Sequence, residues 1–190
     1  CGLAILVAIA SDKSMFTKYG AVVAVANHNL AVLNNAQTLF TGVFYQNISF
    51  EVATQFIVTG NNPWTTPANM SDCLSKFRTW ANNGGFGISY GLAQLWTNLN
   101  TLAPAGSGSL AYQSSLCTSN KYCLVKDNSS NSSILRYNTA HAIGYILGAS
   151  YDVNCPPNNY VMCQTIGTPP STWSPSSVAA INAFLPGKSE

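Results

Sequence analysis

The run His141-Ala142-Ile143-Gly144-Tyr145-Ile146-Leu147-Gly148-Ala149-Ser150-Tyr151-Asp152 comes nearest to a catalytic spacing in this chain. A helix that carries zinc for hydrolysis reads H-E-x-x-H-x-x-G-x-x-H. Two His one turn apart aim both imidazoles at one metal, the Glu is the general base, and the Gly turns the chain so that a third His can reach. His141 and Gly148 keep the separation this chemistry requires. Ala142 occupies the base position, and Tyr145 and Tyr151 occupy the second and third ligand positions. The frame of a hydrolytic metal site is present without its working groups.

The remaining inventory points the same way. The chain has two His, His28 and His141, so three imidazoles cannot meet at one zinc. His28 reads as a helix-surface residue. Glu51 and Glu190 are the only Glu residues, and neither is close in sequence to His141. Zinc hydrolysis needs a Lewis acid and a positioned base together. A tyrosine ligand must ionise from a pKa near ~10, so Tyr145 and Tyr151 read as fillers of the volume that metal and imidazoles would take. No catalytic residue, no metal and no cofactor are therefore expected. No Ser sits in a G-x-S-x-G elbow, and no Gly-rich phosphate loop occurs.

Charged residues make up only 7% of the chain, far below the ~25% of typical domains, so a surface of Asn, Ser, Thr, Gln and Tyr must keep it in water. The net charge of +2 includes no basic run, which excludes nucleic acid as a partner. No apolar run reaches the ~18 residues that span a membrane. Six Cys, at 1, 73, 117, 123, 155 and 163, lack CxxC spacing and read as disulfides, with 15 pairings open; spacing favours only Cys155 with Cys163 and Cys117 with Cys123. Sequons at Asn47, Asn69, Asn128 and Asn131 agree with an oxidising, glycosylating compartment, extracellular or at the cell surface.

These residues need a scaffold, and the periodicity supplies one. Leu3 to Ala10 is continuous and apolar, as a strand buried on both faces should be; it lacks the flanks of a signal peptide. Ser11 or Asp12 caps a long helix to about Thr38. Gly42 to Thr59 alternates as a long strand, and Ser71-Asp72 opens a helix through Trp80. Strands follow at 91–97, 110–113 and 122–126, then the His141 helix ending near Gly148. A Pro-rich stretch, 155–170, precedes a last helix at Ser174-Pro175. The length suits one domain, 1–190, of the α/β class.

Four segments in this order resemble the adamalysin/reprolysin (ADAM-like) branch of the metzincin metalloproteases. They are Val7-Ala8-Ile9-Ala10-Ser11-Asp12-Lys13-Ser14-Met15-Phe16-Thr17-Lys18-Tyr19, Tyr90-Gly91-Leu92-Ala93-Gln94-Leu95-Trp96-Thr97, Ser109-Leu110-Ala111-Tyr112 with Cys117, and the His141 helix followed by Tyr160-Val161-Met162-Cys163. The resemblance implies a metzincin-like fold with a twisted mixed sheet, long helices and an irregular C-terminal part. It implies that Met162 lies in a turn beneath the His141 helix, that Asp152 supports helix and turn, and that the strand at Ser109, Leu110, Ala111, Tyr112 and Gln113 borders a groove. It also implies a Cys155–Cys163 bridge, leaving Cys117 with Cys123 and Cys1 with Cys73.

The function expected is that of an inactive protease-like domain, secreted or cell-surface, binding a protein or peptide ligand by strand addition in that groove. A residual metalloendopeptidase with an unconventional metal site, and a structural module with a closed groove, are the alternatives. Zinc content separates the first, and open volume beside His141 separates the second.

Overall fold

A computed structural model describes residues 2–64, 67–104, 106–153, 155, 160–164 and 168–188. Strand β1, Gly2–Ser11, lies inside a five-stranded sheet with β2, Asn47–Ile57, on one side and β3, Leu92–Thr97, on the other. Tyr122–Lys126 is β5 and Ser109–Ala111 is β4, giving the order β2-β1-β3-β5-β4. Every pairing is parallel except that of the edge strand β4 with β5.

The unbroken apolar run of β1 follows from burial on both faces. Ile5, Val7 and Ile9 enter one core; Ala8 and Ala10 enter the other. β3 and β5 split in the same way, with Leu92, Trp96, Cys123 and Val125 facing the first core and Ala93, Leu95, Tyr122 and Leu124 the second. The first core is covered by α2 (Val22–Gln37) and α4 (Ser132–Ile146), the second by α3 (Met70–Asn82). A last helix, α5, runs Pro175–Phe184. This mixed sheet, with helices on both faces and a tail of turns after α4, is the metzincin-like architecture expected.

The single long helix expected after Asp12 is two. Asp12 caps α1, Lys13–Tyr19, through Oδ1, which accepts from the Ser14 and Met15 amides at 3.0 and 3.3 Å. Gly20 then takes φ 77° and returns its amide to the Phe16 carbonyl at 2.8 Å, a left-handed stop that a side chain would resist. The apolar period resumes in α2 and hides the break. The second strand is shorter than expected, because 38–46 forms turns before β2 begins at Asn47.

Cys155 and Cys163 form a disulfide. The other expected pairs do not form among the described residues: Cys73, Cys117 and Cys123 are free thiols. Cys123 points into the first core from the middle of β5 while Cys117 is exposed, so the sheet keeps them apart. Cys73 is buried in the second core, where burial, with Asp12 and Asp72, pushes its thiol up to about 12. Cys1 and the Pro156-Pro157 turn lie outside the described residues. Among the described residues no helix is long and apolar enough to cross a membrane.

Gly148 follows α4 with φ 104°, and a Cβ there would fall 2.9 Å from the Phe184 Cβ of α5. Gly148→Ala should therefore cost about 2–3 kcal/mol, from backbone strain plus overpacking, read as a lower urea midpoint.

Candidate functional site

α4 crosses the first core with His141 at its centre. Asn131 starts the helix, its Oδ1 accepting from the Ser133 amide at 2.9 Å. A helix with Leu135, Tyr137, Asn138, Ala140, Ala142, Ile143 and Ile146 all buried has no solvent face to turn on, which fixes its rotation. The His141 Nδ1–H donates to the Val161 carbonyl at 2.7 Å, and the Tyr137 hydroxyl to the Cys163 carbonyl at 2.7 Å. These two bonds fasten the helix to the turn that carries Met162. Gly144 lets that turn approach: a Cβ there would lie 2.7 Å from the Met162 Sδ. Met162 thus sits against the His141 helix.

The three positions that a metal site would give to His come together. The His141 ring lies 5.4 Å from that of Tyr145 and 5.5 Å from that of Tyr151, and the two phenol rings are 5.1 Å apart. Burial lowers the pKa of His141 against the smaller opposing effects of the Val161 bond and Asp152, so the imidazole is neutral at pH 7. With Nδ1–H committed to Val161, Nε2 carries the lone pair. Burial, then the hydrogen bond with Tyr151, raises the Tyr145 pKa far from ionisation. Burial, with Tyr151 nearby, pushes the Tyr137 phenol up to about 12.

One neutral imidazole beside a Tyr145 phenol that holds its proton falls short of the three deprotonated ligands that a zinc site of this kind needs. Among the described residues the group of possible metal donors close enough to share an ion is Asp152, Cys155 and Cys163, two of which are bonded to each other. Ala142 is buried with no carboxyl in its place, and Glu51 is exposed on β2, at the opposite edge of the sheet from β4. Glu190 lies outside the described residues. Asp152 accepts from the hydroxyls of Ser174 at 2.5 Å and Ser176 at 3.0 Å at the start of α5, so it braces that helix.

A cleft of about 380 Å³ opens beside His141, bordered by Ser109, Asn128, Tyr137, Asn138, Tyr151 and Gln164. Gly108 bonds to Lys126 and Tyr112 to Tyr122 across the β4–β5 ladder. Antiparallel pairs alternate, so the backbone groups of Ser109 and Ala111 turn outward, away from β5. Of the five groove residues expected, Ser109, Leu110 and Ala111 form the strand, and Ser109 lines the cleft. Tyr112 and Gln113 lie beyond it: the Tyr112 ring packs under the Arg78 guanidinium, and the Gln113 amide donates to the Ala149 carbonyl at 3.0 Å. Lys126 is buried and donates to the Leu102 and Pro104 carbonyls, which steadies the loop leading to the cleft wall. Asn138 stands one helical turn before His141 and could have been found from that spacing; Asn128 and Gln164 give no such signal.

His28 is not a simple surface residue. Its Nε2 lies 3.1 Å from the Tyr19 hydroxyl and 3.3 Å from Oδ1 of Asp127, a fully buried carboxylate at the end of β5. Lys18 and Tyr19 both donate to the other oxygen, at 2.9 and 2.7 Å. The sequon residues Asn47, Asn69, Asn128 and Asn131 are exposed, and Asn69, like Asn131, caps a helix, accepting from the Asp72 amide at 2.9 Å.

A parallel sheet closed by one antiparallel edge strand, a central His helix below it and a Met turn packed on that helix define a metalloprotease fold. The residue pattern of the reprolysin family of zinc metalloproteases matches residues 5–190, and the chain belongs to that family. No curated protein matches it. Among solved structures, a chain from a "Structure of a chaperone-substrate complex" is similar over 96% of this chain, with a TM-score of 0.69 and 12% identity. This chain spans 34% of that one, and the likeness concerns the fold alone.

The Asp127 network sets an acid limit. Burial alone would raise this carboxyl, but His28, Lys18 and Tyr19 together hold it below 3.8. A depressed carboxyl stabilises the fold above its unfolded value, and that contribution is lost as pH falls through the lower folded value. Asp127→Asn should cost about 2–3 kcal/mol at pH 7, and the deficit should shrink below about pH 3.8 in urea unfolding at several pH values.

Proposed function

We propose that this chain is a catalytically inactive member of its family, secreted or cell-surface, acting as a single domain that binds an extended polypeptide. The observation that carries this reading is the convergence of His141, Tyr145 and Tyr151, one imidazole and two phenols in ring contact, beside a cleft that remains open. A family member without a base at Ala142 and without three metal ligands has no means to activate water as its relatives do. The outward backbone groups of β4 still offer hydrogen bonds to a peptide added as a further strand. The open volume beside His141 favours this binding role over a closed structural module. The disulfide and four exposed sequons support passage through an oxidising, glycosylating compartment, with sugars at Asn47, Asn69, Asn128 and Asn131.

Calorimetric zinc titration, with a fluorogenic peptide assay at each point, tests the reading. The wild type is expected to bind no stoichiometric zinc and to cleave nothing; tight one-to-one binding would overturn it. The variant Ala142→Glu/Tyr145→His/Tyr151→His supplies base and ligands and should gain zinc affinity, while its peptidase rate stays low for want of tuned supporting bonds. Absence of zinc binding there would mean that the ligand positions no longer keep the family geometry.

Ala142→Glu alone places a carboxyl at a site that is 1% exposed, with no metal to compensate it. Its thermal unfolding should show a loss of about 2–4 kcal/mol, reduced at acid pH where the carboxyl is neutral.

A further inference from the structure

We propose that an N-linked glycan on Asn128 folds over the cleft beside His141 and covers it, so that glycosylation of this one residue governs ligand access. This rests on the binding role argued above and names its regulation. Asn128 opens the sequon Asn128-Ser129-Ser130, is exposed, and lines the cleft; Asn47, Asn69 and Asn131 do not line it. Its side chain makes no hydrogen bond among the described residues, whereas Asn69 and Asn131 each cap a helix. The carboxamide that would carry the sugar is thus free to turn toward the cleft.

The backbone beneath it is pinned on both sides. The Asp127 amide donates to the Thr97 carbonyl at 2.7 Å, and its carboxylate accepts from Lys18 and Tyr19. The Asn131 amide donates to Ser129 Oγ at 3.0 Å, and α4 begins there. A sugar attached between these anchors starts at the cleft rim, where a short tether keeps its effective concentration on the order of millimolar. The lining suits that occupant. Ser107, Ser109, Tyr151 and Gln164 offer hydroxyls and an amide, and no Lys, Arg, Asp or Glu lines the cleft among the described residues. A neutral polyol can exchange water for such groups without burying a charge. Ser109 belongs to β4 and lines the same cleft, so a bulky glycan held there obstructs a peptide adding to that strand.

Nitration of Tyr151 by tetranitromethane, followed by peptide mass mapping, reads the cover without any ligand. Tyr151 is 46% exposed and lines the cleft; Tyr45, 92% exposed and outside it, is the internal reference. The whole 190-residue chain is expressed in a glycosylating secretory host as wild type, Ser130→Ala and Ser133→Ala. Ser130→Ala abolishes the sequon at 128 while keeping Asn128, and Ser133→Ala removes only the sequon at 131. Relative to Tyr45, Tyr151 should react about tenfold more slowly in the wild type than in Ser130→Ala, as for a cleft open about 10% of the time. Asn128→Gln should match Ser130→Ala, and Ser133→Ala should match the wild type. Three outcomes overturn the proposal: no sugar on Asn128, equal rates in wild type and Ser130→Ala, or equal release by both serine variants. Each leaves peptide binding standing, because no peptide enters the measurement. A wild type that binds zinc and cleaves peptide would overturn the binding role and leave the nitration contrast intact.

Discussion

The hydrogen bond from His141 Nδ1 to the Val161 carbonyl is the contact on which the rest of the site depends. It fixes the tautomer and plane of the ring, and it joins the centre of α4 to a turn twenty residues further on. The Tyr137 bond to Cys163 acts beside it, and the disulfide holds the far end of that turn to Cys155. Two bonds from adjacent turns of one helix resist both rotation and sliding. The aromatic cluster of Tyr145 and Tyr151 can then pack on a ring whose position is already determined. Remove the Val161 bond and a buried imidazole loses its partner, which burial makes costly.

Much of this architecture is legible from residue order, because its strongest elements are those with burial on both sides. β1 reads as a strand from its continuous apolar run, β3 and β5 from short, largely apolar segments, and Ser174-Pro175 marks the start of α5. The break at Gly20 is not legible, since the apolar period continues through it and only the left-handed turn interrupts the helix. The early start given to the second strand has a similar cause: 42–46 alternates in side-chain character but forms turns.

The site was partly legible. The motif positions from His141 to Asp152 announce themselves by spacing; Met162 packs on the His141 helix, and Asp152 accepts from the Ser174 and Ser176 hydroxyls. The cysteines mislead because an even count suggests pairs, whereas Cys123 in a fully buried strand behaves as a small hydrophobe. His28 misleads for a different reason. Its partner Asp127 is 99 positions away, and no local pattern links them. Isolated polar residues gain meaning only when the sheet brings the chain ends of its strands together.

The sequon asparagines at 69 and 131 carry a further consequence. Each already spends its side-chain oxygen on the first turn of a helix, so only the amide nitrogen is free. A sugar carried on that nitrogen would inherit the dihedral angles of the cap. It would leave the surface along a bearing set by the helix axis, as a rigid bracket does, where a glycan on a mobile loop sweeps a cone. The helix start would thus aim the carbohydrate, and any shielding it gave would be directional.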